Sequence, residues 1–146
     1  MKSEQGSLPA LADEKSIKEF SSWLLELAGS LQATLHQLSA VDKSFTGSGY
    51  GVLMEVYGLR TRAYILLNDS ANHIVNSLDF SQGDLLLLFD RVSRVVPAVS
   101  SLKIASSIVL SVATFTVSLG EDRSKIVNFL FRSFCDDLAE WEASLN

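Results

Sequence analysis

The residues with the clearest potential for chemistry are Asp69 and His73, four positions apart in an asparagine-rich run. Side chains four residues apart lie on the same side of a helix, so the Asp69 carboxylate could orient the His73 imidazole as an acid–base catalyst. Asn68, Asn72 and Asn76 continue the same flank. The sequence places no reactive serine or cysteine beside the histidine. We interpret the flank as a solvated polar face, with Asn72 as a candidate contact to a partner. An enzyme that uses His73 and Asp69 is the last of the three functional hypotheses that the sequence suggests.

A glycine-rich segment at residues 47–51 is a second candidate, because glycine lets backbone amides approach a bound phosphate. A phosphate-binding loop would carry Gly-Lys-Ser or Gly-Lys-Thr after its spacer and would follow a β-strand. Here Val52 follows the glycines, and the segment before them has a helical pattern. The sequence therefore predicts a connection between two helices over residues 42–51.

The last part of the chain contains Cys135 and a group of carboxylates. Neighbouring acids raise the pKa of a thiol, which is the wrong direction for a nucleophile, so we interpret Cys135 as a packing residue. Asp136, Asp137, Glu140 and Glu142 have the spacing of one helix side. No Glu-x-x-His pair accompanies them to complete a dinuclear metal site. We expect these acids to form a charged outer face.

The composition excludes several functional classes. The chain has 146 residues, of which 47% are hydrophobic, and a formal net charge of −5. The hydrophobic content is too high for a disordered chain, and the acidic charge opposes binding to a phosphate backbone. A single cysteine forms no internal disulfide, and two histidines with one cysteine are too few for an ordinary structural zinc site. We expect no cofactor, no bound metal and no nucleic-acid partner.

Apolar residues recur at spacings of three and four along most of the chain, which is the pattern of amphipathic α-helices. Capping-box spacings begin at Ser16 and Ser81, and Asp122 is a candidate cap for the last helix. We predict an all-α fold, a single domain over residues 1–146 built as a bundle of four or five helices. Residues 1–12 are expected to be flexible or loosely packed. The expected helices cover about 16–41, 50–78, 81–96, 98–119 and 122–145, and a bend in the second helix near residues 68–70 stays open.

The segment 98–119 is the most apolar, and we expect it to form the central helix of the bundle. Ile108 and Val112 are predicted to be buried there. Hydroxyl side chains fall near one stripe of this helix, namely Ser100, Ser107, Ser111, Thr114 and Ser118. The stripe either allows a neighbouring helix to pack closely or lines a ligand cavity or a partner groove. The second functional hypothesis is therefore a protein that binds a hydrophobic ligand or a membrane surface through this helix.

Targeting signals are not recognisable in the sequence. The N-terminal residues lack the apolar core of a signal peptide, and the uncharged stretch 104–120 is shorter than a membrane-spanning helix. We expect a cytoplasmic protein that does not span a membrane, and export by a signal-independent route stays open.

The last predicted helix carries its charges against its own dipole. In residues 120–146 all three bases lie in the first half, and four of the six acids lie near the end. Negative charge is instead favourable at a helix start and positive charge at its end. Arg91 and Arg94 of the third helix, or a basic partner protein, would neutralise this acidic end.

Apolar side chains exceed what one buried face needs in two places, since Leu86 and Leu87 widen the apolar face of the third predicted helix and Phe129 and Phe131 widen that of the last. Tyr57 and Tyr64 lie seven residues apart on the second predicted helix. Aromatic residues are favoured at the core of interfaces. The candidate partner-binding residues are Phe131, Asp137, Glu140, Tyr57, Tyr64 and Asn72.

Of the three functional hypotheses, the following is the first. We expect a non-enzymatic protein–protein interaction module, such as an adaptor, a chaperone, an immunity-type inhibitor or a regulatory subunit. It would present an apolar helix face with an acidic rim to another protein or to a second copy of itself.

Overall fold

The computed structural model describes residues 8–41, 45–120 and 122–145. Within them the regular structure consists of five α-helices and two short 3₁₀ turns, and there is no β-strand. The helices are α1 (Glu14–Val41), α2 (Ser48–Asn68), α3 (Gln82–Val95), α4 (Leu102–Val117) and α5 (Ser124–Ser144). The 3₁₀ turns are Ser70–His73 and Val96–Ala98. The predicted all-α bundle of four or five helices is confirmed.

The helices pack around α1, which contacts α2, α3, α4 and both 3₁₀ turns. α4 also packs against α2 and α5, and α5 packs against α3. Four phenylalanine rings from four helices meet in the core. The ring centroid of Phe20 in α1 lies 5.0 Å from that of Phe89 in α3, and Phe115 in α4 lies 6.0 Å from Phe134 in α5. Rings at these distances and angles attract each other beyond the effect of burial alone.

The apolar helix α4 contributes one buried face and one exposed face. Ile108 and Val112 are fully buried, as predicted, whereas Leu110 and Val117 are exposed. The helix covers Leu102–Val117 and is shorter than the predicted 98–119. It begins later because Ser101 has an extended backbone and accepts a hydrogen bond from the Ile104 N–H at 3.3 Å. This is an N-cap, which fixes the helix start.

Of the three helix caps that the sequence predicts, one is confirmed and two are wrong. Ser81 accepts a hydrogen bond from the Asp84 N–H at 3.0 Å, so the predicted cap of α3 is confirmed. The expected cap at Ser16 is wrong, because Ser16 is buried and its N–H donates to Asp13 Oδ1 at 2.8 Å. The expected cap at Asp122 is also wrong. Asp122 has a left-handed backbone with φ 61°, and Arg123 precedes α5 without a side-chain cap.

α2 begins inside the glycine-rich segment. Gly47 precedes the helix with φ 83°, a left-handed conformation that favours glycine. A Cβ atom on Gly49 would lie 2.5 Å from the ring of Phe45, so only glycine allows this buried ring to approach the first turn. Gly49 therefore allows the buried Phe45 ring to pack against the start of α2. Residues 42–44 of the predicted connection lie outside the described residues.

α2 ends at Asn68, at the place where the sequence leaves a bend open in a helix that it predicts to continue to residue 78. The chain turns through Ser70–His73 and is then non-helical as far as residue 81. The Val75 N–H donates to the carbonyl of Leu11 at 2.9 Å, and this long-range hydrogen bond holds the segment in place. Because the helix stops, Asn68, Asn72 and Asn76 do not share one helix flank, and that prediction is wrong.

The segment before α1 is tightly packed. Ala10 and Leu11 are fully buried. The Ala10 N–H donates to the carbonyl of Phe80 at 3.0 Å, and the Leu11 N–H donates to Gln82 Oε1 at 3.0 Å. The expectation that residues 1–12 are flexible or loosely packed is therefore wrong for residues 8–12, because their backbone bonds to the segment before α3. Residues 1–7 lie outside the described residues.

Candidate partner-binding surfaces

α4 and α5 form an antiparallel hairpin that uses two residues of the predicted hydroxyl stripe. Ser107 Oγ accepts a hydrogen bond from the Trp141 indole N–H at 3.0 Å. Ser111 Oγ donates to the Asp137 carboxylate at 2.8 Å. Both bonds join one helix to the other. The stripe therefore holds α4 against α5 at these positions, and Thr114 is left exposed beside them.

A groove runs along the outer side of this hairpin. Two adjoining cavities of about 170 and 380 Å³ form it, and Thr114 and Leu130 line both. We call this the α4–α5 groove and define it by Leu110, Thr114, Val117, Leu130 and the charged residues at its ends, Arg123 and Asp137. Its length follows the hairpin, so an elongated ligand such as a helix matches its shape.

Large apolar side chains border the α4–α5 groove. On α4, Leu110 is 67% exposed, and Val117 lies seven residues further along the same side. On α5, Phe129 is 64% exposed and precedes the groove residue Leu130 in the chain, and Ile126 is exposed one turn before Leu130. Apolar side chains exposed singly are ordinary, whereas a group of them marks an interaction surface.

The two ends of the groove carry opposite charges. Arg123 lines the end at the start of α5, and Asp137 lines the other end. Fourteen residues separate them, which is about 21 Å along a helix at 1.5 Å per residue. Asp136 and Glu140 are exposed beside Asp137 and extend the negative charge. We call Asp136, Asp137 and Glu140 the acidic rim.

Part of the acidic end of α5 is neutralised within the chain. Arg91 of α3 pairs with Glu142, with its Nε 3.2 Å from Oε2. Arg94 instead pairs with Asp90 of its own helix, at 3.1 Å. Within the described residues, Asp136 forms no salt bridge, and neither do the other two members of the acidic rim. The rim is therefore free to attract a basic group.

Phe131 lies in a packing contact. Its ring stacks on Phe80 with the two centroids 3.8 Å apart, and it is partly buried. The contact fixes the segment before α3 against α5. Phe129 is therefore the α5 ring that is available to a partner, although the sequence singles out Phe131 more strongly.

A second apolar face lies on the outer side of α2. Tyr57 and Tyr64 are both exposed there, and Tyr50 and Met54 continue the face towards the helix start. The opposite side of α2 carries its buried residues, Val56, Leu59, Ala63 and Leu66. We define the α2 stripe by the residues that follow one another at alternating spacings of four and three, namely Tyr50, Met54, Tyr57, Thr61, Tyr64 and Asn68.

The predicted partner-binding residues do not form one site. Phe131, Asp137 and Glu140 lie on α5, whereas Tyr57 and Tyr64 lie on α2. α4 packs against both of these helices and separates the two groups. Asn72 lies beyond the end of α2, and its Nδ2 donates to Asp69 Oδ1 at 2.6 Å.

Sequence reasoning missed the outward positions Met54, Leu110 and Val117. A helix as apolar as α4 gives no contrast between its inner and outer sides, so the period alone does not identify Leu110 and Val117. Met54 could have been found, since it continues the alternating spacing that joins Tyr57 to Tyr64.

His73 and Asp69 are close together, but not in the arrangement that the catalytic hypothesis requires. His73 Nδ1 lies 2.9 Å from the backbone oxygen of Asp69 and 3.9 Å from its carboxylate. The carboxylate accepts the hydrogen bond from Asn72. The main chain therefore holds the imidazole, and the carboxylate does not orient it.

Cys135 is half-buried, and burial raises the pKa of its thiol. The nearby carboxylates Asp136 and Asp84 raise this pKa further, and the Arg91 guanidinium opposes them. The pKa of the Cys135 thiol is therefore raised, as the sequence predicts, but burial raises it more than the neighbouring acids do. A thiol of this kind is a poor nucleophile at neutral pH.

Two further features concern the described residues as a set. No group of three or more His, Cys, Asp or Glu side chains in residues 8–41, 45–120 and 122–145 could hold a metal ion. Over the same ranges, none of the helices has both the length and the apolar character that crossing a membrane requires.

Comparisons of the chain with protein-family models, with curated proteins and with solved structures give no match. The geometry and chemistry of the two apolar faces are therefore the features that bear on the function of this protein.

Proposed function

We propose that the protein is a non-enzymatic protein-binding module whose α4–α5 groove receives an amphipathic helix of a partner protein. The exposed apolar border of the groove carries this proposal. Leu110 and Phe129 remain in water although the bundle has a continuous core, and covering such surface contributes about 25 cal/mol per Å². An amphipathic helix lying in an apolar groove is a common form of peptide recognition.

The charges of the groove specify the partner further. A helix of about 14 residues spans the distance from Arg123 to Asp137. Basic residues at the end that meets the acidic rim would be attracted to it, and acidic residues at the other end would meet Arg123. Such complementarity favours one orientation of the partner and speeds its association.

Selection from a display library tests this proposal. The library presents amphipathic helices with a fixed apolar face and randomised charges, and the folded protein is the bait. We expect enriched helices to carry lysine or arginine at one end. We expect Asp137→Asn with Glu140→Gln to weaken their binding by about tenfold at low salt, since charges at an interface rim act mainly through screened attraction. The asparagine at 137 keeps an acceptor for Ser111.

The control variants separate the groove from the rest of the surface. Leu110→Asp with Phe129→Ser should abolish binding, because it removes the exposed apolar border. Leu87→Asp should leave binding unchanged, since Leu87 is equally apolar and exposed but lies on α3. If no helix were enriched, or if the α3 variant weakened binding as much as the groove variant, the proposal would be wrong.

A small apolar ligand in the same groove is the second candidate function. The larger cavity, of about 380 Å³, falls within the size range of small-molecule sites. Native mass spectrometry of the gently purified protein distinguishes the two. A bound small molecule that is lost from the Leu110→Asp and Phe129→Ser variant would favour this candidate over the partner helix.

A further inference from the structure

We infer that a second copy of this chain docks on the α2 stripe, so that the two α2 helices pack side by side in opposite directions. The α2 stripe is separated from the α4–α5 groove by the body of α4, so this inference goes beyond the proposed function and does not depend on what the groove binds. It is carried by the pattern, the glycines and the charges of α2.

The pattern of α2 is that of a helix with two apolar sides. Its inner side packs on α1 and α4, and its outer side is the α2 stripe, where Met54 is 66% exposed. Alternating spacings of four and three are those of the contact positions of a coiled coil. A surface helix of a monomer has no need of such an outer stripe, because its outward side is normally polar.

Two exposed glycines lie along the edge of the stripe that faces α4. Gly51 and Gly58 are seven residues apart within the helix, and a Cβ atom on either would meet nothing within 4 Å. Each costs the isolated helix about 0.5–1 kcal/mol relative to alanine, and the packing within the chain does not require it. Glycine at these positions allows the backbone of a second helix to approach closely.

An antiparallel pair with its two-fold axis level with residue 59 gives each stripe residue a suitable neighbour. Met54 of one copy meets Tyr64 of the other, a favourable sulfur–aromatic contact. The two polar residues each meet a tyrosine, whose hydroxyl both donates and accepts hydrogen bonds. These pairs are Tyr57 with Thr61 and Tyr50 with Asn68. In the same register the two copies of Gly58 lie next to each other.

The charges of α2 also fit the antiparallel direction. Glu55 of one copy lies level with Arg62 of the other, beside the edge that carries Gly51 and Gly58, and symmetry repeats the pair. In a parallel pair the two copies of this edge would lie on opposite sides of the contact, so Glu55 would not meet Arg62. Arg60 lies on the other edge of the stripe. Its side chain reaches over α1, where its guanidinium lies 3.5 Å from the position that a Cβ atom on Gly29 would take.

The size of the contact sets its strength. A single pair of helices is at the low end of interface sizes, below about 1,200 Å² in total. We therefore expect a reversible dimer rather than a permanent one.

Sedimentation velocity of the full chain over a concentration series tests the inference. We expect a monomer–dimer equilibrium whose dissociation constant rises about tenfold or more in Met54→Asp, because a charge would be buried within the contact. Leu87→Asp on α3 is the matched control and should leave the equilibrium unchanged. A protein that stays monomeric at all concentrations, or a dimer that Met54→Asp does not weaken, would overturn the inference.

Two further measurements test the direction of the helices. Glu55→Arg and Arg62→Glu should each weaken the dimer, and the double variant should restore it. In a Cys135→Ala background, Gly58→Cys should form an intermolecular disulfide, since the two positions meet at the axis. Tyr50→Cys should not, because its two copies would lie about 27 Å apart, far beyond the reach of a disulfide. Cross-linking through Tyr50→Cys alone would contradict the antiparallel pair.

Salt separates this inference from the proposed function. Each chain carries a net charge of −5, so screening should favour the dimer, whereas it should weaken a basic helix at the acidic rim. A monomeric protein that still selects basic helices would overturn only the dimer. A dimer that selects no helix would overturn only the groove.

Discussion

Gln82 is the side chain that connects the N-terminal segment to α1 and α3. It is fully buried, and its Oε1 accepts the Leu11 N–H while its Nε2 donates to the carbonyl of Ser16 at 3.0 Å and to Glu19 at 3.1 Å. The connection matters because Leu11 has a left-handed backbone with φ 57°, which is unfavourable for leucine. The hydrogen bonds to its N–H and carbonyl hold it there.

Replacing Gln82 with leucine should therefore destabilise the fold. A buried donor or acceptor left without a partner costs about 1–3 kcal/mol, so we expect the free energy of unfolding to fall by about 2–4 kcal/mol. Urea denaturation followed by circular dichroism measures it. Ser81→Ala, which removes only the cap of α3, should cost about 1 kcal/mol. Equal losses in the two variants would show that the buried amide has no special role.

The helices differ in how far the sequence predicts them. α3 is predicted almost completely, because Ser81 caps its start and its apolar period matches the buried residues. The sequence leaves a bend open near residues 68–70, but the spacing of Asn68 and Asn72 continues the helical pattern, so the end of α2 could not be predicted. It is determined by Val75, which bonds to Leu11 more than sixty residues away. A local pattern does not contain such a contact.

The candidate surfaces also differ in how far the sequence predicts them. Tyr57 and Tyr64 could be predicted from their spacing, and both are exposed. Phe131 and Phe129 are two residues apart in one apolar run, and only the packing of Phe80 decides which ring is covered. The groove between α4 and α5 depends on how two helices meet, which the sequence of either one does not specify.

The glycines of α2 give a test at the level of one helix. Gly58→Ala should stabilise the monomer by about 0.5–1 kcal/mol, because alanine favours the helix and meets no neighbour. The same change should weaken the α2 dimer, since the new methyl groups would separate the two backbones. Gly49→Ala should instead destabilise the monomer by about 1–3 kcal/mol, because its Cβ would overlap the Phe45 ring. Denaturation and sedimentation measure the two effects, and an alanine at 58 that left the dimer unchanged would contradict the close approach.

In the whole molecule, one core supports two separate exposed faces. α1 holds the bundle together from within, so both α2 and the α4–α5 hairpin are free to present apolar side chains outward. The α2 stripe suits pairing with the same stripe of a second copy. The α4–α5 groove has ends of opposite charge, which suit a different partner. A protein that pairs through one face and binds a helix through the other would bring two partner chains together.

Site-specific photo-crosslinking in the native cell determines whether the α4–α5 groove contacts a partner protein. A photoreactive phenylalanine replaces Phe129 in one variant, Leu110 in a second and Leu87 on α3 in a third. We predict that positions 129 and 110 cross-link to the same protein and that position 87 does not. The cross-link should weaken when Asp137→Asn and Glu140→Gln remove the charge of the acidic rim. Identical products from all three positions, or none from 129 and 110, would show that the groove is not the surface that contacts a partner.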